Sequence, residues 1–283
     1  LVKIAIYIFC KLKNYGENKM GKVVKGALIG GAPISQVAIW TAIIAVTAMI
    51  PFSVVIGGGG AFPISMTIAP LTGILLGPLG GFVAALIGGY IALAIAPYTA
   101  TLGVVAPWPL AIAVLCAGLI TYKPKNYWYI PAILAPIAIF WTYASFPLAG
   151  LTFPYAKPLA PFEWLEGPYT GFLLGWTDAW PSWILFLATV KWLRGWISST
   201  SPIKVGVATW IITYFTLSGI EHYIGWGIFE IMYKLSVDVC VWVIFLFTWW
   251  ERLVMATVGA IIGTAVIIAL RKAGLRKPEY TIW

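Results

Sequence analysis

Charge is what this sequence has least of. Only 10% of its 283 residues are Asp, Glu, Lys or Arg, where a water-soluble domain carries about 25%. There is one histidine, His222, and no His-Glu-x-x-His, which excludes a histidine-built metal cluster and the intramembrane metalloproteases. Three cysteines (Cys10, Cys116 and Cys240) make no disulfide framework, and two of them lie inside apolar runs, where they read as inert packing. Glutamine occurs once, at Gln36, and asparagine three times. Scarcity of these heat-labile amides is the composition of a thermophile protein. No metal and no cofactor is expected.

Apolar residues fill the space that charge leaves. They make up 61% of the chain, and the mean hydropathy is +0.93. Several apolar runs reach the length that crosses a bilayer, which makes this a multi-pass protein of the cell membrane. The net charge of +9 raises the question of nucleic acid, and its distribution answers it. Basic residues come in short clusters between apolar runs: Lys3 to Lys25, Lys123 and Lys125, Lys191 to Lys204, and Arg271 to Lys277. That is the pattern of cytoplasmic loops under the positive-inside rule. A basic groove interleaved with aromatics, the mark of a nucleic-acid binder, is missing.

The expected fold is an all-α polytopic helical bundle of about eight spans, six at the fewest, with both termini cytoplasmic. The spans fall near 34–56, 63–77, 80–97, 103–122, 127–149, 170–193, 205–229 and 238–270. They form one transmembrane domain, residues 34–272, between a basic cytoplasmic or interfacial segment (1–33) and a cytoplasmic tail (273–283). Residues 1–19 are read as an amphipathic stub or as lying upstream of the true start at Met20. An even count puts every basic cluster inside, with Lys157, Glu163, Glu166, Glu230, Lys234 and Asp238 outside. The last apolar stretch is too long for a straight span and must tilt, protrude or break; a break at Trp249–Arg252 would leave a helix ending in Arg271 and Lys272. The connection 150–170, rich in proline and aromatics, reads as an extended outer loop of the kind that forms lids.

The breakers are informative. "GGGGAFPISMTIAPLTGILLGPLGGFVAALIGG", Gly57 to Gly89, carries no charge at all. It reads as two short helices joined by a tight turn at "GPLGG", residues 77–81, because proline ends a hydrogen-bond ladder and glycine tolerates a turn's dihedrals. Gly77, Gly81, Ala85 and Gly89 recur every four residues, as do Gly80, Ala84 and Gly88. Such stripes let helix backbones approach closely in lipid. Gly57–Gly60 is no phosphate loop, since no helix with Lys-Ser/Thr comes after it. "GENKMGKV", Gly16 to Val23, imitates a nucleotide-binding loop and then fails at Val23, where a Ser or Thr would hold magnesium.

Three stretches resemble the membrane-embedded substrate-binding subunits (S components) of energy-coupling factor (ECF) vitamin transporters. "PISMTIAPLTGILLGPLGGFVAALIGGYI" is similar to their second and third helices, where a short helix ending in "LLGP" turns into a Gly/Ala-rich one. "ERLVMATVGAIIGTAVIIALRK" looks like their closing helix, with a polar start, the Gly263-Thr264 pair and a basic end. "SQVAIWTAIIAVTAMIPF" holds Ala38 and Ala42, similar to the small-xxx-small contact through which these subunits dock on a transmembrane coupling subunit. This chain departs from the family in being longer and in having more spans. The resemblance implies uptake of a scarce nutrient, with a coupling subunit and an ATPase pair supplied by other chains. That fits a chain with no ATP motif of its own.

Ionisable residues inside a membrane are costly, so each is a candidate for function. Asp178, Glu221, His222, Glu251 and Arg252 all lie within or beside apolar spans. They are expected to face one cavity open to the outside, walled by Trp176, Trp180, Trp183, Tyr223 and Trp226. Carboxylates among aromatic faces suit a flat or cationic ligand. Each has a plainer reading as well: interfacial tryptophans, a structural Glu221–Arg252 pair, a core histidine. Enzyme activity is not expected. Ser218 and His222 lie on one helix, a poor geometry for nucleophilic attack. The rival readings are an accessory subunit of a larger membrane complex and a stand-alone secondary transporter. The latter would show inverted repeats, and none is visible.

Overall fold

The computed structural model describes residues 27–55, 59–123, 127–150, 179–235, 247–275 and 277–283. The basic segment before residue 27, the expected outer loop beyond residue 150 and the candidates Trp176 and Asp178 lie outside the described residues. So do Cys10, Cys240 and Asp238.

A short hairpin, β1 (Leu28–Ile29) with β2 (Ala32–Pro33), leads into α1 (Ile34–Thr47). The expected first span reaches residue 56, but α1 stops nine residues sooner. Pro51 lies just beyond, and a proline disfavours helical dihedrals in the residue before it. The chain instead forms a second hairpin, β3 (Pro51–Val55) against β4 (Gly60–Pro63). Of the glycine run, Gly59 and Gly60 belong to this hairpin, and Gly59 takes a φ of 66°.

Next comes α2, Ser65–Ile95, whose helical dihedrals fail at Gly77, at φ 79° and ψ 177°. It is not one straight rod. A Cβ placed on Gly81 would lie 2.6 Å from the Cα of Gly73, and these two positions would be about 12 Å apart in a continuous helix. Ala69 and Ala85 share one core cluster, as the same antiparallel register requires. The stretch is therefore two arms folded back on each other at the "GPLGG" turn, as the sequence led us to expect. Its two small-residue stripes serve different neighbours. Gly81 meets the first arm and Gly89 meets Pro107, whereas Gly80 meets Ala32 and Gly88 meets Ile44 of α1.

After two 3-10 turns, Pro97–Thr99 and Gly103–Val105, the chain continues through α3 (Pro107–Ile120) and α4 (Tyr129–Leu148). Further on, α5 (Ala179–Ile197) precedes α6 (Pro202–Thr216), which runs through a π-turn, Leu217–Glu221, into α7 (His222–Tyr233). The last helix is α8 (Trp249–Lys272), and the helical backbone already includes a π-turn at Phe247 and Thr248 just before it. The two arms of α2 pack on α1 and α3. Helix α8 packs on α6 and α2, α5 on α6, and α4 on α7. By length and composition, five helices among the described residues can cross a membrane.

The burial pattern is that of a protein in lipid. Ala69, Ala84, Ala111, Ala113, Ala117 and Ala208 are among the most buried residues, while Ile133, Ile137, Phe140, Ile184 and Ile261 stand 55% or more exposed. Small residues inside and branched apolar ones outside are the outcome when packing, not water, drives helix association. Trp108, Trp192 and Trp250, each more than 40% exposed, sit near helix ends, as interfacial anchors do.

The chain's turns gather at two ends. At one, Trp283 Nε1 donates to Leu75 O at 2.9 Å and Lys123 N to Tyr280 O at 2.8 Å. Arg194 donates to Tyr122 O at 2.6 Å and Arg271 to Ser199 O at 2.6 Å. Lys123, Lys191, Arg194, Lys204, Arg271, Lys272 and Lys277 all lie at or near this end. Burial, then the charges of Arg271 and Lys123, hold the Lys277 ammonium below its ordinary range. The opposite end carries the β3–β4 hairpin, both 3-10 turns and Glu221, Glu230 and Glu251.

Candidate functional site

A cavity of about 330 Å³ opens at the acidic end. Four pieces of the chain line it. The β3–β4 hairpin brings Ser53, Val54, Val55 and Phe62, the π-turn and α7 bring Glu221, His222, Trp226 and Phe229, the link between the 3-10 turns brings Thr101 and Leu102, and Phe247 is joined by Glu251 and Arg252 from the start of α8. The π-turn matters to the second group. One extra residue in a turn rotates the helix beyond it, and such bulges are frequent at functional sites. Here it aims the adjacent Glu221 and His222 into the same space. Gly219 sits inside it with Phe215 and Ser182 within 3.3 Å of where a Cβ would be, so a larger residue would crowd both.

At the cavity wall Arg252 has no exposed surface. Its Nη1 donates to Glu221 Oε2 at 2.8 Å, and its Nε lies 3.9 Å from Glu251 Oε2. Phe62 stands against the guanidinium, 5.0 Å from its ring centroid. Ser53 donates to the other oxygen of Glu251, which ties the hairpin to α8. The ring of His222 meets that of Trp226 edge-on at 5.3 Å. Arg252 Nε and Nη2 and Trp226 Nε1 are buried and have no hydrogen-bond partner. Among the described residues, no group of His, Cys, Asp and Glu could hold a metal ion.

Four expected site residues therefore converge, namely Glu221, His222, Trp226 and Glu251, with Arg252 beside them. Trp180 does not join them, which corrects the expected wall. It packs beside Tyr143 and Tyr223 and stacks edge-on with Trp183 at 5.4 Å. Trp183 itself donates to Ala132 O at 2.9 Å, and Tyr223 is buried in the same cluster as Ala138 and Ile139. These aromatics join α4, α5 and α7 and do not line the cavity. Glu221 and Arg252 do form the pair that the plainer reading foresaw.

Sequence reasoning missed the hairpin wall and Phe229, Phe247 and Thr248. A signal for the hairpin was present in "PFSVVIGGGGAFP", an apolar run with β-branched residues, a glycine run and a second short strand. The same run also fits the end of a transmembrane helix, because apolar runs satisfy both templates. Ala38 and Ala42 lie on the exposed face of α1, away from the cavity. Comparison with known protein families, with curated proteins and with solved structures finds no match.

Proposed function

We propose that the chain is the substrate-binding membrane subunit of an ECF-type uptake transporter, taking a small aromatic or cationic nutrient from the outer face. In this reading it crosses the membrane about eight times with both termini inside. The observation that carries it is the cavity at the end opposite the basic residues, where carboxylates, an arginine and aromatic faces meet. Under the positive-inside rule the basic end is cytoplasmic, so the cavity faces outward. Exposed Ala38 and Ala42 leave α1 an open face for the coupling subunit, and an ATPase pair in further chains drives the cycle. A ligand-capture role without catalysis also suits a site whose one histidine sits against aromatic rings.

The test is mass spectrometry of small molecules released from protein purified in mild detergent, run beside Trp226→Ala. A metabolite released near one per chain by the wild type and absent from the variant is the expected result. A wild type that is empty and co-purifies with unrelated membrane subunits would overturn it in favour of an accessory role.

A further inference from the structure

Taking the cavity as the substrate site proposed above, we infer that its ligand is a planar heterocycle, neutral or cationic, which presents two adjacent acceptors beside an N–H donor edge. An oxopurine, with its ring oxygen and neighbouring nitrogen, is the simplest member of that class.

The geometry of Arg252 points to the acceptors. Its Nη1 is engaged by Glu221, whereas Nε and Nη2 have no hydrogen-bond partner. Those two N–H groups lie along one edge of the planar guanidinium, the edge that grips two neighbouring acceptors at once. Glu251 Oε2 at 3.9 Å from Nε is too distant for a hydrogen bond. The side chain is buried and lines the cavity, so leaving these donors unpaired is costly, and a partner on that side would relieve the cost. Trp226, which lines the same cavity, adds a third buried donor at its Nε1.

Two kinds of group fill such a fork: an oxyanion (carboxylate or phosphate), or a carbonyl oxygen next to a ring nitrogen. Charge decides between them. Glu221 and Glu251 already set two carboxylates against one guanidinium in an apolar cavity. A ligand carboxylate or phosphate would add a third anion at close range, where low dielectric magnifies repulsion. A neutral acceptor pair adds none. Glu251, one oxygen of which takes the Ser53 hydroxyl, keeps its other oxygen as an acceptor for an N–H donor on the ligand. Phe62, Trp226, Phe229 and Phe247 favour a flat body by stacking. The same pairing of an arginine fork with an oxygen–nitrogen edge, and of a carboxylate with an amino group, is how proteins read nucleobase edges.

The experiment is calorimetric titration of the full chain in mild detergent, after exchange of co-purified metabolite, with hypoxanthine, adenine, phenylalanine and choline as probes. Hypoxanthine is expected to bind, and adenine, which carries an amino donor in place of the oxygen, at least about tenfold more weakly. Arg252→Lys keeps the charge and loses the fork, so hypoxanthine affinity should fall at least about tenfold. Glu251→Gln should weaken it similarly. Since the Glu251 side chain is 12% exposed, that variant and the adenine contrast decide the matter if Arg252→Lys does not fold. Phenylalanine or choline binding in place of hypoxanthine overturns the ligand class and leaves the substrate site standing. Hypoxanthine binding untouched by both substitutions also overturns it. If no probe binds a chain that still releases a metabolite in the mass-spectrometric test, the class alone falls. If no metabolite is released either, both readings fall.

Discussion

Arg252 is the largest fully buried side chain among the described residues, and Glu221, 6% exposed, is its hydrogen-bonded partner. Each charge makes the other tolerable. Removing one leaves the other stranded in a medium that solvates it poorly, at a cost of about 3–5 kcal/mol. Glu221→Ala should therefore lower the thermal unfolding midpoint in detergent sharply, while the double variant Glu221→Leu with Arg252→Met recovers most of the loss. A Glu221→Ala protein as stable as the wild type would show that the pair contributes nothing to folding. The individual residues were legible in the sequence, because a charge inside an apolar run stands out. Their partnership was not. Glu251 and Arg252 are neighbours in the chain, and nothing local says that Arg252 turns to Glu221, 31 positions away, while Glu251 turns to Ser53.

Among the elements, the fold-back of α2 depends most directly on residue type. Gly77 adopts φ 79° with ψ 177°, a region that only glycine enters without strain. Its would-be Cβ meets nothing closer than Thr281 at 3.7 Å, so space is not the constraint. Gly77→Ala should accordingly cost about 1–3 kcal/mol through backbone strain alone, read as a lower unfolding midpoint with an unchanged helical circular-dichroism spectrum. A neutral substitution would mean the turn has another way to close. The turn was visible from Gly77, Pro78, Gly80 and Gly81 because their chemistry is local. The β3–β4 hairpin and the π-turn were not recognised. The first shares its apolar composition with a helix, and the second depends on how Leu217–Glu221 packs on α3, α4 and α5.

At the scale of the molecule, charge separates the two ends. Seven of the nine described Lys and Arg residues lie at one end and three of the four described Glu residues at the other. In a chain first stripped of Cys10, Cys116 and Cys240, Val104→Cys and Ala273→Cys sample these ends, and both positions are exposed. A membrane-impermeant maleimide should label Val104→Cys in intact cells and Ala273→Cys only after permeabilisation. The reverse pattern would turn the protein over and place the cavity inside.

By itself the sequence determined the solvent, the approximate positions of the helices, the sharp turn at residues 77–81 and the charged residues that required partners. Composition, periodicity and backbone chemistry act over a few neighbouring residues, and all of these properties are local. Only the tertiary structure decided which charges meet, that a hairpin rather than a helix end walls the cavity, and that Trp180 and Trp183 pack between helices while Trp226 faces the site. The physical reason is the same in each case. A side chain's direction is set by the rotation of its helix against distant neighbours, and that rotation is fixed only when all the helices have packed.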